Sequence, residues 1–166
     1  MKRPLDNLPN HSLPAGITIH PAYPSKYPQI YEAYIDAFRD HYGFSEDWIN
    51  IEHWMNDPQF QPWLWQIAWA GDEVAGSVMS YIDHDENERK KHLRGYTENI
   101  SVGRKWRGTG IAKVLICRSM EMFKTLGMQE VALGVDALNP TGALKLYAGL
   151  GYVSYKILVE YTKPLK

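Results

Sequence analysis

The stretch Ile100-Ser101-Val102-Gly103-Arg104-Lys105-Trp106-Arg107-Gly108-Thr109-Gly110-Ile111-Ala112-Lys113 decides the fold. Residues 96–102 alternate as a strand. From Gly108 onward apolar residues recur at helical spacing, through Ile111, Val114, Leu115, Met122 and Leu126, until Gly127 stops them. A strand therefore passes into a long helix across two glycines. Arg104, Lys105, Arg107 and Lys113 give this segment a charge of +4 with no acid between positions 104 and 113, in a chain whose formal net charge is -1. Gly108 and Gly110 remove side chains where successive backbone N–H groups approach a ligand, and a helix N-terminus adds roughly half a positive charge. The segment reads as a local anion site whose natural guest is a phosphate.

What is missing narrows that guest. Lys113 follows Ala112 and precedes Val114, so the Gly-Lys-Ser/Thr of a nucleotide-hydrolysing loop is absent. A dinucleotide fingerprint wants Gly or Ala where Lys113 stands. A basic, glycine-containing turn without any ligand stays open as the alternative. Outward from this core, the pattern predicts a strand at 17–20, a helix over 27–39 with Ile30, Ala33, Tyr34, Ala37 and Phe38 on one face, and a second helix from Ser45 to near Pro58. Period two then predicts strands at 64–70 and 73–81 joined around Gly71-Asp72. Residues 83–94, with acids and bases but no apolar period, read as a solvated connection. A short strand at 131–135, a helix opened by Pro140 and a last alternating strand at 152–162 complete the order. That order is a mixed α/β (α+β) domain, antiparallel in its first half.

Length and composition set the limits. The 166 residues hold one domain, and 45% hydrophobic residues fill its core without disulfides. Balanced charge argues against bulk binding of nucleic acid or acidic membrane. No apolar run is long enough to span a bilayer and no signal peptide is evident, so the expected location is cytoplasmic. The single cysteine, Cys117, builds neither a disulfide framework nor a cysteine-rich metal site, and no metal is expected. Pro4, Pro9 and Pro14 without hydrophobic period make residues 1–16 a linker or disordered leader, leaving 17–166 as the domain.

Two motifs carry a family resemblance. Arg107-Gly108-Thr109-Gly110-Ile111-Ala112 resembles the R/Q-x-x-G-x-G/A signature of the GNAT acetyltransferase superfamily. Asn139-Pro140-Thr141-Gly142-Ala143-Leu144-Lys145-Leu146-Tyr147, followed by Leu150-Gly151-Tyr152, resembles that family's second motif in the same order. The resemblance implies the GNAT acyl-CoA N-acyltransferase fold, a mixed central sheet with helices on both faces, and acetyl-CoA (coenzyme A) as co-substrate. It implies that the amides of Arg107, Gly108, Thr109, Gly110, Ile111 and Ala112 hold the pyrophosphate. Ile100 and Val102 would pair through their backbone with the pantetheine arm, Asn139 would hydrogen-bond it, and Tyr147 would sit at the sulfur. The interval from Asn139 to Tyr147 is one residue longer than the family's commonest form.

The chemistry of these residue types agrees. Aminolysis of a thioester expels a thiolate whose conjugate acid has a pKa of about 8.5, and a phenol such as Tyr147 supplies a proton to it. Otherwise Tyr147 is a core tyrosine of a short helix. An ammonium acceptor with a pKa of about 10.4 must lose its proton before attack. Glu98, with the same strand parity as Ile100 and Val102, is the candidate base, and otherwise a solvent-facing carboxylate. Asp40 and His41 stand second. Trp48, Trp54, Trp63, Trp65 and Trp69 read mainly as core, with one or two available to wall an acceptor pocket. Cys117 reads as packing.

The expectation is therefore an N-acetyltransferase that moves an acetyl group from acetyl-CoA to a primary amine, on a small molecule or a peptide, by direct attack in a ternary complex. Its alternative is a non-catalytic coenzyme A binding or interaction module. The proline-rich leader and the segment 37–43 are similar to the second half of bacterial tandem GNAT proteins, the group that includes mycothiol synthases. A single last strand would leave a sheet edge unpaired, to be covered by a second copy or a tandem partner domain.

Overall fold

The computed structural model describes residues 1–39, 50–136 and 142–159. Its sheet is built from β1 (Lys2–Pro4), β2 (Ile17–His20), β3 (Gln66–Ala70), β4 (Glu73–Tyr81), β5 (Arg94–Val102) and β6 (Glu130–Ala132), in the spatial order β1-β6-β5-β4-β3-β2. Only β5 and β6 run parallel; the other neighbours are antiparallel. The helices are α1 (Tyr27–Phe38), α2 (Ile51–Met55), α3 (His84–Lys90), α4 (Ile111–Thr125) and α5 (Ala143–Gly149).

Alternation along β3 shows why both faces need helices. Ile67 and Trp69 join Ile30 of α1, Trp65, Val74 and Met79 in one buried cluster. Ala68 between them joins the other cluster, with Leu115, Ile116, Met120 and Phe123 of α4. A strand buried on both faces must be apolar at consecutive positions, as Ile67-Ala68-Trp69 is. α1 carries Pro28 in its first turn, where the missing N–H has no intrahelical partner to lose. α4 crosses β5 at Gly95, where a side chain would run into the Phe123 ring.

Three sequence expectations are corrected. The leader 1–16 is not a linker at its start: Lys2, Arg3 and Pro4 pair with Ala132, Val131 and Glu130, and Leu5 is buried. A three-residue strand is too short to show a period, and Pro4 is tolerated at its last position. Arg3 is buried with it, donating to the carbonyls of Leu150 and Asn7. Residues 83–94 are not a plain connection, because α3 forms within them. Asp83 Oδ1 accepts from Glu86 N at 2.7 Å to cap it, and Lys91 closes it with φ of 52°. A polar helix held by its caps has no apolar stripe to detect. The last strand is reduced to one bridge, Val153 with Lys2, while residues 154–159 take no strand structure and Ile157 and Leu158 are 84% and 76% exposed. The place beside β6 is taken by β1, so this segment meets the sheet only at the bridge to Lys2 among the described residues. The start of the second expected helix, with Trp48, falls outside the described residues.

Arg3→Ala removes a buried guanidinium and leaves the Leu150 carbonyl without its donor. The expected cost is about 2 kcal/mol, a fall in Tm of roughly 4–8 °C. An unchanged melting temperature would mean that the first residues are a dispensable leader.

Candidate active site

Among the described residues β5 pairs with β6 only as far as Tyr96 with Ala132, and then continues to Val102 paired with β4 alone. The two strands are held apart at that point by a side chain: Glu98 Oε1 accepts from Gly134 N at 2.6 Å. Asn99 follows in the left-handed region, with φ of 47°, and adds a residue to β5, so Glu98 pairs with Met79 whereas Ser101 pairs with Ser77. This bulge corrects the expected parity. Glu98 lies across from Met79, on the α1 side, whereas Ile100 and Val102 pack against the cluster beneath α4.

Beyond Val102 the chain makes a short 3-10 turn, Arg104–Trp106, and reaches α4 through Gly108 and Gly110 at φ of 80° and 92°. Neither glycine has any atom within 4 Å of where a Cβ would stand. The loop is open in front of its backbone, at the N-terminus of a 15-residue helix. The bases divide. Lys105 pairs with Glu73 and lies over the Trp106 ring, and Arg104 is 3.7 Å from Asp36. Arg107 donates to the carbonyls of Ala37 and Val102, tying the loop to the end of α1. Lys105 and Arg104 thus face acids, and Arg107 and Lys113 line the cavity.

That cavity, about 430 Å³, is lined by the expected residues Ile100, Val102, Arg107, Gly108, Gly110, Ile111, Ala112 and Tyr147. Thr109 turns back, its hydroxyl donating to Trp106 O at 2.6 Å. Asn139, Asp40 and His41 lie outside the described residues.

Tyr147 projects from α5 and is 7% exposed. Its ring packs edge-on against Tyr152, 6.0 Å away, whose hydroxyl shares a 2.8 Å hydrogen bond with Thr97. Burial and then the charge of Glu98 push the Tyr147 phenol up to about 12. Burial also pushes Glu98 up to about 7, partly offset by the hydrogen bond from Gly134. Cys117 is buried in α4, and desolvation pushes its thiol up to about 11, a poor nucleophile. Of the expected tryptophans, Trp65 and Trp69 are buried, Trp54 is half-buried among aromatic rings, and Trp63 is 73% exposed. Gly134 and Asn99 were not found from the sequence. A lone glycine after a strand and an asparagine inside one carry no signal that distinguishes a split sheet from an ordinary turn. No group of three or more metal-ligating side chains occurs among the described residues, and no helix among them is long and apolar enough to cross a membrane.

Comparison with known proteins bears on this geometry. Residues 27–152 match the model of the Acetyltransferase (GNAT) family. N-alpha-acetyltransferase 30 of Schizosaccharomyces pombe is 33% identical over 95 residues, covering 57% of this chain and 61% of that protein. Mycothiol acetyltransferase of Thermobispora bispora is 26% identical over 98% of this chain and 56% of its own length. The chain therefore spans little more than half the length of these curated relatives. A GCN5-related N-acetyltransferase from Sphaerobacter thermophilus superposes with a TM-score of 0.71 at 28% identity, over 90% of this chain and 45% of that one. On the match over residues 27–152 and the split sheet with its glycine-opened helix, the chain belongs to the Acetyltransferase (GNAT) family.

Proposed function

We propose that this protein transfers an acetyl group from acetyl-coenzyme A to a primary amine by direct attack, with Tyr147 as general acid and Glu98, directly or through a water, as base. The observation that carries this reading is the open cavity at the split in the sheet, with Tyr147 on its wall and Glu98 on β5 at the split. Tyr147 lines the cavity from α5, and the charge of Glu98 reaches its phenol from β5. The names of the N-alpha-acetyltransferase relatives support an α-amine as the acceptor.

The residues present fit coenzyme A. The positive-φ glycines expose backbone N–H groups at a helix start, where a pyrophosphate is favoured. The edge of β5 from Ile100 to Val102 has no strand beside it among the described residues, so its backbone is available to amide groups of a pantetheine arm. When bound, acetyl-coenzyme A supplies the acyl group as a thioester. Glu98, ionised above about pH 7, would take a proton from the acceptor's ammonium, and the free amine then attacks the thioester carbonyl. Tyr147, whose raised pKa keeps it protonated at neutral pH, donates to the departing sulfur. Tyr152, fixed by Thr97, holds the Tyr147 ring in place.

Four outcomes are expected. Glu98→Gln keeps an amide oxygen for Gly134 N but loses the base, so the bend near pH 7 in kcat/KM should vanish; a bend that persists would move the base elsewhere. The same variant tests the burial of the carboxylate. Glu98 releases its proton at about 4.5 when unfolded and about 7 when folded, so its contribution to stability falls as pH rises through that window. Above it the cost is on the order of 3 kcal/mol. Glu98→Gln should melt higher than wild type at pH 8 and alike at pH 4.5; no difference at pH 8 would contradict the shift.

Tyr147→Phe should keep coenzyme A affinity and lower kcat by about 10²- to 10⁴-fold, with a loss under about threefold assigning the tyrosine to packing. Gly110→Val places a branched side chain at a φ of 92° and blocks the loop. Acetyl-coenzyme A affinity should weaken by about tenfold or more, and calorimetry showing no change would remove the loop from the site.

A further inference from the structure

A second, smaller cavity of about 50 Å³ lies on the α1 side of the sheet and shares no lining residue with the coenzyme A cavity. Its lining is graded by depth. Trp65 and Met79 are buried, and Trp54, Phe60 and Tyr81 are half-buried. Asp57, Gln59 and Asn99 are exposed and form the rim. One hydrogen-bonded turn carries the rim carboxylate together with two of the rings. Asp57 N donates to Trp54 O at 3.3 Å, and Phe60 N donates to Asp57 O at 2.8 Å. Asp57 Oδ1 accepts from Gln59 N at 2.6 Å, which fixes the carboxylate in that turn.

The charge of the lining has one sign. Asp57 is the one charged side chain among the lining residues, and no Lys, Arg or His joins it. Burial and then the charge of Glu98 raise the Tyr81 phenol, which therefore stays neutral. An aromatic ring is negative on its face, so four rings and a carboxylate together attract a cation, and an anion is repelled. A cation that carries carbon groups suits the gradient in burial. Its carbons cover the aromatic floor while its charge stays at the exposed rim, where little hydration is lost. The side-chain carbonyls of Gln59 and Asn99 add acceptors at the same rim. A water needs roughly 10–15 Å³ of such space, so about four heavy atoms fit, the size of a trimethylammonium head or the end of a lysine-like arm.

We propose that this cavity binds an alkylammonium group of about four heavy atoms, its carbons against the rings and its charge beside Asp57. The group belongs either to the acceptor molecule, as a second cationic centre, or to a separate small molecule. Binding at the cavity does not rest on the transfer reading above.

Choline, whose nitrogen takes no acetyl group, and its uncharged isostere 3,3-dimethylbutan-1-ol test it by titration of isotope-labelled protein, with the backbone amide signals followed by magnetic resonance. Choline should shift the signals of Asp57, Gln59 and Asn99 and bind about tenfold more tightly than the alcohol, the combined effect of a cation–π contact and an exposed ion pair. Asp57→Asn keeps an oxygen for Gln59 N and removes the charge. It should weaken choline by about threefold and leave the alcohol unchanged. Equal affinity for the two probes, shifts confined to other parts of the protein, or choline binding unaltered in Asp57→Asn would overturn the inference. Thiol release from acetyl-coenzyme A then separates the two sources. Inhibition by choline with lysinamide as acceptor, but not with norleucinamide, places the group on the acceptor. Choline that acts on both amides alike, or on neither, assigns the cavity to a separate ligand.

Discussion

The structure turns on the loss of pairing between β5 and β6 after Tyr96 and Ala132. A parallel pair that continued would satisfy its own backbone and leave no slot. Here Gly134 N is taken by the Glu98 carboxylate, and the left-handed Asn99 turns β5 away. The cost is a row of backbone groups with no strand beside them among the described residues, which a folded protein normally covers or pairs. A ligand with amide groups spaced along an extended arm can complete such an edge as an added strand does. The same bulge sorts the side chains, sending Glu98 across from Met79 on the α1 face and Ile100 and Val102 under α4. One irregularity thus places Glu98 and the pair Ile100 and Val102 on opposite faces of the sheet.

That arrangement explains why the site is polar inside an otherwise apolar core. Thr97 and Tyr152 bond to each other within the cluster beneath α4, and Ser77 bonds to Ser101 at 2.8 Å across β4 and β5. These pairs satisfy buried hydroxyls locally, one on each side of the bulge. Glu98 is the exception, a carboxylate held where burial favours its neutral form. A group poised near neutrality at a strand break is costly for folding and suited to proton transfer.

Legibility in the sequence followed the strength of the local pattern. Strands β3 to β5 were readable as apolar or alternating runs between turn signals, helices α1 and α4 from an apolar stripe, and the glycine pair marked the open loop before α4. The strand β1 was hidden by its three residues and its proline, and α3 by the lack of any apolar stripe. Motif spacing singled out Tyr147 and the loop, which line one cavity, whereas the side on which Glu98 falls was misread. Strict alternation cannot anticipate a bulge at Asn99, because asparagine adopts positive φ in turns and strands alike. The terminal segment misled for another reason. Its alternation is real, but β1 already occupies the edge of β6, and the residues from Ile157 to Val159 stay exposed.

The claim that the split sheet is the coenzyme A slot is tested most directly by amide hydrogen exchange with and without coenzyme A. The account predicts that two separated segments gain protection together: Ile100 to Val102 on the open edge of β5, and Gly108 to Ala112 at the start of α4, while β2 at the far edge is unchanged. Protection confined to the loop, with the β5 amides exchanging as before, would contradict it.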